Sequence, residues 1–261
     1  MSALECIRQG HRVTVWLNRP ERHNAFDDDL IALLTEAFQT IPQDPQVRVM
    51  VLAARGGTFC AGADLRWMRA MADQDHAANL NDARQLAQLL WAVAHCPVPV
   101  IAQVQGDCMG GGVGLVAACD IAVSTAHAHF ALSEVKLGLI PATISPYLVR
   151  AMGPRQALRH ALTAERINAR QALDCGLLHE VLEPMDLMPR VDELAQAMAS
   201  HGPQAMRQTK QLMLDVAGQP LDATLLEETA RRIADVRASD EGRAGLQAFL
   251  NRQSPPWNDT P

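Results

Sequence analysis

The stretch QGDCMGGGVGLVAACD, residues 105–120, places five glycines within nine positions and then runs into a short apolar segment closed by an acid. Close packing of a buried helix on a sheet accounts for one or two glycines. Three in a row, followed by another at 114, point to a ligand that approaches the backbone itself. Gly112, Gly114 and Ala117 match the spacing G-x-G-x-x-A, with Glu134 further on as in a dinucleotide fingerprint. That match misleads, because the helix after the glycines is short and ACDIAVS begins the next strand too early for a nucleotide-binding unit. The better reading takes Gly110-Gly111-Gly112 as a helix N-terminus whose free N–H groups, backed by the helix dipole, suit an anion formed during a reaction. FCAGADL, residues 59–65, is built the same way: a strand, then Ala61-Gly62-Ala63, then Asp64 at a helix start. Two such corners can aim two N–H groups at one carbonyl oxygen.

Outward from these corners the chain alternates strands and helices. RVTVWLN (12–18) has strand period, a turn at NRPERHNAF leads into a helix over 27–40, and VRVMVLAA (47–54) is a buried strand. Residues 55–65 read as a glycine-broken loop, and the segment to Cys96 as helix interrupted near 73–75. PVPVIAQVQG and CDIAVST are strands, and HFALSEVKLGLIP is a short strand followed by an irregular loop. Beyond 146 helices dominate: one to about 163, another over NARQALDCG, a strand at LLHEVL, then three helical stretches to about 250. No fixed-period repeat is visible, and the tail QSPPWNDTP reads as loosely held. The fold class is α/β, divided into a core over 1–200 and a C-terminal helical region over 201–261.

Composition narrows the function classes. With 261 residues the chain can bury a sizeable core, and 23 Lys plus Arg against 29 Asp plus Glu, a net charge of −6, argues against nucleic acid as a partner. Six cysteines without CxxC spacing, mostly in apolar runs, read as reduced structural thiols and favour a cytoplasmic location. No stretch reaches the ~20 apolar residues of a membrane span. His127 and His129 form H-x-H without a third ligand, so no metal is expected. Cys60 and Cys119 read as small hydrophobes, and Asp64 and Asp120 as braces for their loops.

LNRPERHNAF, FCAGADLRWM, GDCMGGGVGLVAACDIAVS, FALSEVKLGLIP and LTAERINARQALDCGLLHEVL, in this order, resemble the enoyl-CoA hydratase/isomerase (crotonase) superfamily over essentially the whole chain. The resemblance implies a spiral of β-β-α units, a C-terminal helical trimerisation region, and a homotrimer or dimer of trimers. It implies an acyl-CoA thioester substrate, no cofactor beyond the CoA of that substrate, and an enolate oxygen held by the amides of Ala63 and Gly111. Arg22, Ala61, Asp64 and Arg66 fall on the CoA side, and Phe249 and Arg252 fall where a neighbouring subunit's last helix reaches the nucleotide. Trp67, Met68 and Met71 follow the first corner and are candidates to line the acyl pocket, an apolar spacing that plain core packing also explains.

Two glutamates serve hydratases of this family. The second corresponds to Glu134; the first falls on Gly114. Many members are glycine-rich after the second glutamate, whereas this chain reads IPATISPYLV. Together with GGGVGL this is most like bacterial methylglutaconyl-CoA hydratases. Gly114 is then expected to leave room for the branch and second carboxylate of an acidic substrate, since two carboxylates ~5 Å apart at a dielectric of ~20 repel by about 3 kcal/mol. Ser145, Tyr147 and Arg150 are the candidates to meet that carboxylate. Three readings stand: a hydro-lyase acting on enoyl-CoA, a Δ3-Δ2 isomerase that needs no activated water, and a non-catalytic binder of CoA esters or RNA.

Overall fold

The computed structural model describes residues 2–258. Strands β1 (Leu4–Gln9) and β2 (Arg12–Leu17) form an antiparallel hairpin; the alternation in RVTVWL sends Val13, Val15 and Leu17 into the core. Helix α1 (Asp28–Thr40) starts where the Asp27 carboxylate accepts the Leu30 N–H, and buries Leu30, Ile31, Leu34 and Phe38.

Three β-β-α turns follow. The first holds β3 (Val49–Ala54), β4 (Thr58–Cys60), α2 (Leu65–Ala72) and α3 (His76–Ala94). The second holds β5 (Val100–Val104), β6 (Asp107–Met109) and α4 (Gly111–Ala118). The third holds β7 (Ile121–Thr125), β8 (His129–Ala131) and α5 (Ser145–Thr163), which kinks at Gly153-Pro154. In each turn the longer strand joins a six-stranded sheet and the short one a four-stranded sheet. The first sheet runs β1-β2-β3-β5-β7-β10, where β10 is Glu180–Leu182; the second runs β4-β6-β8-β9, where β9 is Ile167–Asn168. The β3 sequence VMVLAA is buried on both faces. One face packs on Leu30, Phe38 and Leu89, the other on Leu187 and Val191. Such a strand reads as a continuous apolar run rather than an alternation.

Helix α6 (Ala169–Asp174) precedes β10, and α7 (Pro184–Ala199), α8 (Pro203–Val216), α9 (Ala223–Ala238) and α10 (Asp240–Leu250) complete the chain. Four helices therefore follow β10, where the sequence pattern suggested three stretches. The helical region is bonded to the spiral: Lys210 Nζ lies 2.6 Å from Asp120 Oδ2 and also donates to Val98 O, while Arg207 donates to Pro42 O and Val47 O. The tail is also tied down, contrary to its loose reading. Trp257 donates its indole N–H to Ser200 O, and Arg48 donates to Trp257 O. Residues 259–261 lie outside the described residues.

No helix among the described residues is long and apolar enough to cross a membrane. All six cysteines are free and five are buried; burial pushes the Cys60 thiol up to about 12, so it is no nucleophile at neutral pH. Among the described residues no three His, Cys, Asp or Glu side chains cluster as metal ligands, and His129 pairs instead with Asp107.

Candidate active site

The short strands decide where the chemistry can be. Strand β4 runs parallel to β6, and β6 parallel to β8, with Cys60 opposite Cys108 and Met109 opposite Ala131. Their C-terminal ends therefore stand side by side, ~4.8 Å per strand. From these ends emerge Ala61-Gly62-Ala63, Gly110-Gly111 and Leu132-Ser133-Glu134. Residues far apart in sequence thus share one sheet edge.

The first corner is fixed from both sides. Phe26 N–H donates to Gly62 O and Asp64 N–H donates to Phe26 O, a parallel bridge that leaves the Ala63 N–H directed away from Phe26. Asn24, fully buried, holds the approach by donating to Arg55 O and Thr58 O. Gly62 has φ +88°, and a Cβ there would stand 3.1 Å from Met109 O, so the first corner touches the second through bare backbone. Asp64 then caps α2, accepting the N–H groups of Arg66 and Trp67.

The second corner begins where Gly110 N–H donates to Ala131 O. Gly111 is the first residue of α4, and its N–H has no partner within the helix. Neither the Ala63 nor the Gly111 N–H is engaged by a backbone or side-chain acceptor among the described residues. The Phe26 ring lies 3.0 Å from where a Gly111 Cβ would stand, which ties the two corners together.

Glu134 opens the 3-10 turn Glu134–Leu137. Its Oε1 lies 3.2 Å from the Cβ position of Gly110, so the carboxyl faces the second corner. Its Oε2 is buried without a hydrogen-bond partner among the described residues. Burial raises the Glu134 carboxyl above its ordinary range, opposed only in part by its own backbone N–H. A half-buried carboxyl on the same group of strand ends as two unused N–H donors can move a proton beside an oxyanion.

The remaining expected site residues divide. Arg22 stands near the first corner, 3.7 Å from Asp27 and 3.8 Å from Asp64. Ala61 and Arg66 are exposed on the same corner. On α2, Trp67 packs against the core, and Met68 and Met71 are half-buried. Phe249 is 80% exposed at the end of α10, which packs chiefly on α8, α9 and the turn Pro256–Asn258; Arg252 is exposed just beyond.

Three expectations need correction. A Cβ at Gly114 would lie 2.2 Å from Ile144 Cγ2 and 2.7 Å from Ile144 Cβ, and Ile144 is 2% exposed. The space that Gly114 leaves is occupied by Ile144, not open to a substrate carboxylate. Ser145 spends its hydroxyl on Ala142 O at 2.8 Å, closing its own loop. Arg150 lines a cavity of about 720 Å³ with Val116, Cys119, His179 and Lys210, at the last turn of α4 rather than the first. Tyr147 is half-buried against the core, 5.7 Å from the Arg150 guanidinium. Sequence reasoning passed over Asn24, Phe26 and Ile144. The HNAF turn and the glycine-poor IPATIS loop were their only local signals.

The same architecture occurs in known proteins. The enoyl-CoA hydratase/isomerase family model matches residues 9–260. The 2,3-dehydroadipyl-CoA hydratase of Escherichia coli is 35% identical over 259 residues, covering 98% of each chain. The (E)-benzylidenesuccinyl-CoA hydratase of Thauera aromatica is 31% identical over 249 residues, covering 94% of each. The crystal structure of an enoyl-CoA hydratase from Shewanella pealeana superposes with a TM-score of 0.95 at 41% identity, covering 98% of this chain and 96% of that one. With the spiral of β-β-α turns matched from end to end, this chain belongs to the enoyl-CoA hydratase/isomerase (crotonase) family.

Proposed function

We propose that the chain is a hydro-lyase that reversibly hydrates an enoyl-CoA thioester, with Glu134 as general acid/base and the N–H groups of Ala63 and Gly111 as the oxyanion hole. The observation that carries the reading is the pairing of two unengaged backbone donors on adjacent strand ends with a half-buried carboxyl that faces Gly110, the residue before the second of them. In hydration, the Glu134 carboxylate takes a proton from water as the hydroxyl adds to C3. The thioester becomes an enolate whose oxygen is held by both amides, and Glu134 then returns the proton to C2. Each well-aimed amide contributes about 3–4 kcal/mol at the stage where charge sits on that oxygen.

The substrate is 3-methylglutaconyl-CoA, converted to 3-hydroxy-3-methylglutaryl-CoA in leucine or isoprenoid catabolism. Supporting this are the SEVKLGLIPATISPY and GGGVGL motifs and two hydratase relatives whose names specify dicarboxylic thioesters. The assembly is a homotrimer or dimer of trimers. It is supported by the apolar residues Leu246, Phe249 and Leu250, exposed at 54%, 80% and 77% on α10, with Phe249 and Arg252 reaching the CoA of a neighbour. Arg22, Ala61, Asp64 and Arg66 serve the CoA side within one chain, and Trp67, Met68 and Met71 the acyl side.

A Δ3-Δ2-enoyl-CoA isomerase is the second reading, favoured by the absence of any titratable side chain on α4 to assist a water. The two separate on a panel of crotonyl-, 3-methylcrotonyl-, 3-methylglutaconyl- and 3-enoyl-CoA, followed by absorbance of the conjugated enoyl group. Hydration predicts loss of that absorbance, fastest with 3-methylglutaconyl-CoA. Its appearance from 3-enoyl-CoA, with stable conjugated thioesters, would establish the isomerase.

A further inference from the structure

Gly110 is the N-cap of α4, with φ +50° and ψ −120°, and Gly114 lies one turn further along the helix, where its N–H donates to Gly110 O. What faces them differs. The Cβ position of Gly110 meets Glu134 Oε1 at 3.2 Å, and that of Gly114 meets Ile144 Cγ2 at 2.2 Å. Glu134 and Ile144 therefore cover two successive side-chain-free positions at the start of α4, its N-cap and the turn that follows.

Both are held there by the same segment. Leu139 N–H donates to Glu134 O, Ser145 N–H to Pro141 O, and the N–H groups of Tyr147 and Leu148 to Ile144 O at the start of α5. Ile144 cannot shift without moving the first turn of that helix. A branched apolar side chain is thus fixed one helical turn from the position that the carboxyl faces, where α4 contributes no side chain of its own.

We infer that Ile144 is a specificity-determining residue, the wall of the acyl site next to the Glu134 carboxyl, limiting the bulk a substrate carries at C3. The inference rests on the reading of Glu134 as the acid/base. A hydrophobic pocket discriminates by about tenfold or more per methylene-sized change, so trimming this wall alters selectivity rather than chemistry.

The test compares kcat/KM for crotonyl-CoA and for cinnamoyl-CoA, which carries a phenyl ring at C3. In Ile144→Ala the cinnamoyl-to-crotonyl ratio rises about tenfold or more. Ile144→Val, which removes a single methyl group and preserves the fold, moves the ratio in the same direction by a smaller factor. A purely structural role would depress both substrates together. Crotonyl-CoA turnover that depends on Glu134, with a ratio unmoved in both variants, overturns the assignment of Ile144 alone. Crotonyl-CoA turnover indifferent to Glu134→Gln overturns the underlying reading of the site.

Discussion

Glu134→Gln is expected to lose about 10²- to 10⁴-fold in kcat while CoA thioesters still bind, because positioned proton transfer disappears and the backbone donors remain. The variant is nearly isosteric, so the corners keep their geometry. The pH dependence adds a sign. Hydration needs the ionised carboxylate, and burial raises the folded-state value above the ordinary one of 4.5. Activity should therefore fall, as pH decreases, at a point above the usual carboxylate range, and the residual activity of Glu134→Gln should lack this limb. Stability runs the opposite way. A carboxyl whose folded value is raised costs stability as pH rises from the unfolded value through the folded one, and that cost is fully present above both. At neutral pH the Gln variant should melt no lower than the parent. Near-normal turnover in Glu134→Gln, measured beside an intact melting transition, would remove Glu134 from the mechanism.

The second large effect concerns Gly114→Glu. On the sequence-based expectation this change would impair an acidic substrate by repulsion and spare crotonyl-CoA. The structure changes that outcome. The new Cβ would overlap Ile144, which the start of α5 holds in place, and the carboxylate would be driven into a fully buried turn of α4. Overpacking costs about 1–3 kcal/mol and an unpaired buried polar group a similar amount or more. For a chain of this size a loss of about 3 kcal/mol lowers Tm by about 6–12 °C. Calorimetry should show that fall, and activity on acidic and neutral thioesters should decline together. A Tm within about 2 °C of the parent, with loss confined to 3-methylglutaconyl-CoA, would restore the electrostatic account.

How much was legible in the sequence depended on what each residue's partner was. Strand β2, helix α1 and strand β3 announce themselves by period, by the Asp27 cap and by a continuous apolar run. The corner residues Ala63 and Gly111 were legible because a bare backbone that meets another backbone must use glycines, and Gly62 lies against Met109 O. Strands β4, β6 and β8 were hidden. At three residues each they carry no measurable period and exist only by pairing with one another. The repeat was hidden for a related reason: β4 is followed by the eight-residue α2 and then the 19-residue α3, whereas β6 is followed by the eight-residue α4 alone, so similar turns of the spiral have unlike lengths. Gly114 and Ile144 make the hardest case. A missing side chain signals only that something fills its place, and nothing local says whether that is ligand or protein. Arg150 is a similar case, since its place in the sequence does not say that its side chain lines a cavity at the opposite end of α4.

In the proposed site the Ala63 and Gly111 amides jointly hold the thioester oxygen while Glu134 faces the reacting carbons. The crystal structure of the protein with a stable, unreactive enoyl-CoA analogue measures this directly. The thioester oxygen is expected at about 2.7–3.1 Å from both amide nitrogens, with the Glu134 carboxyl over C2 and C3. An oxygen beyond hydrogen-bond reach of both amides, or an acyl chain lying away from Glu134, would contradict it.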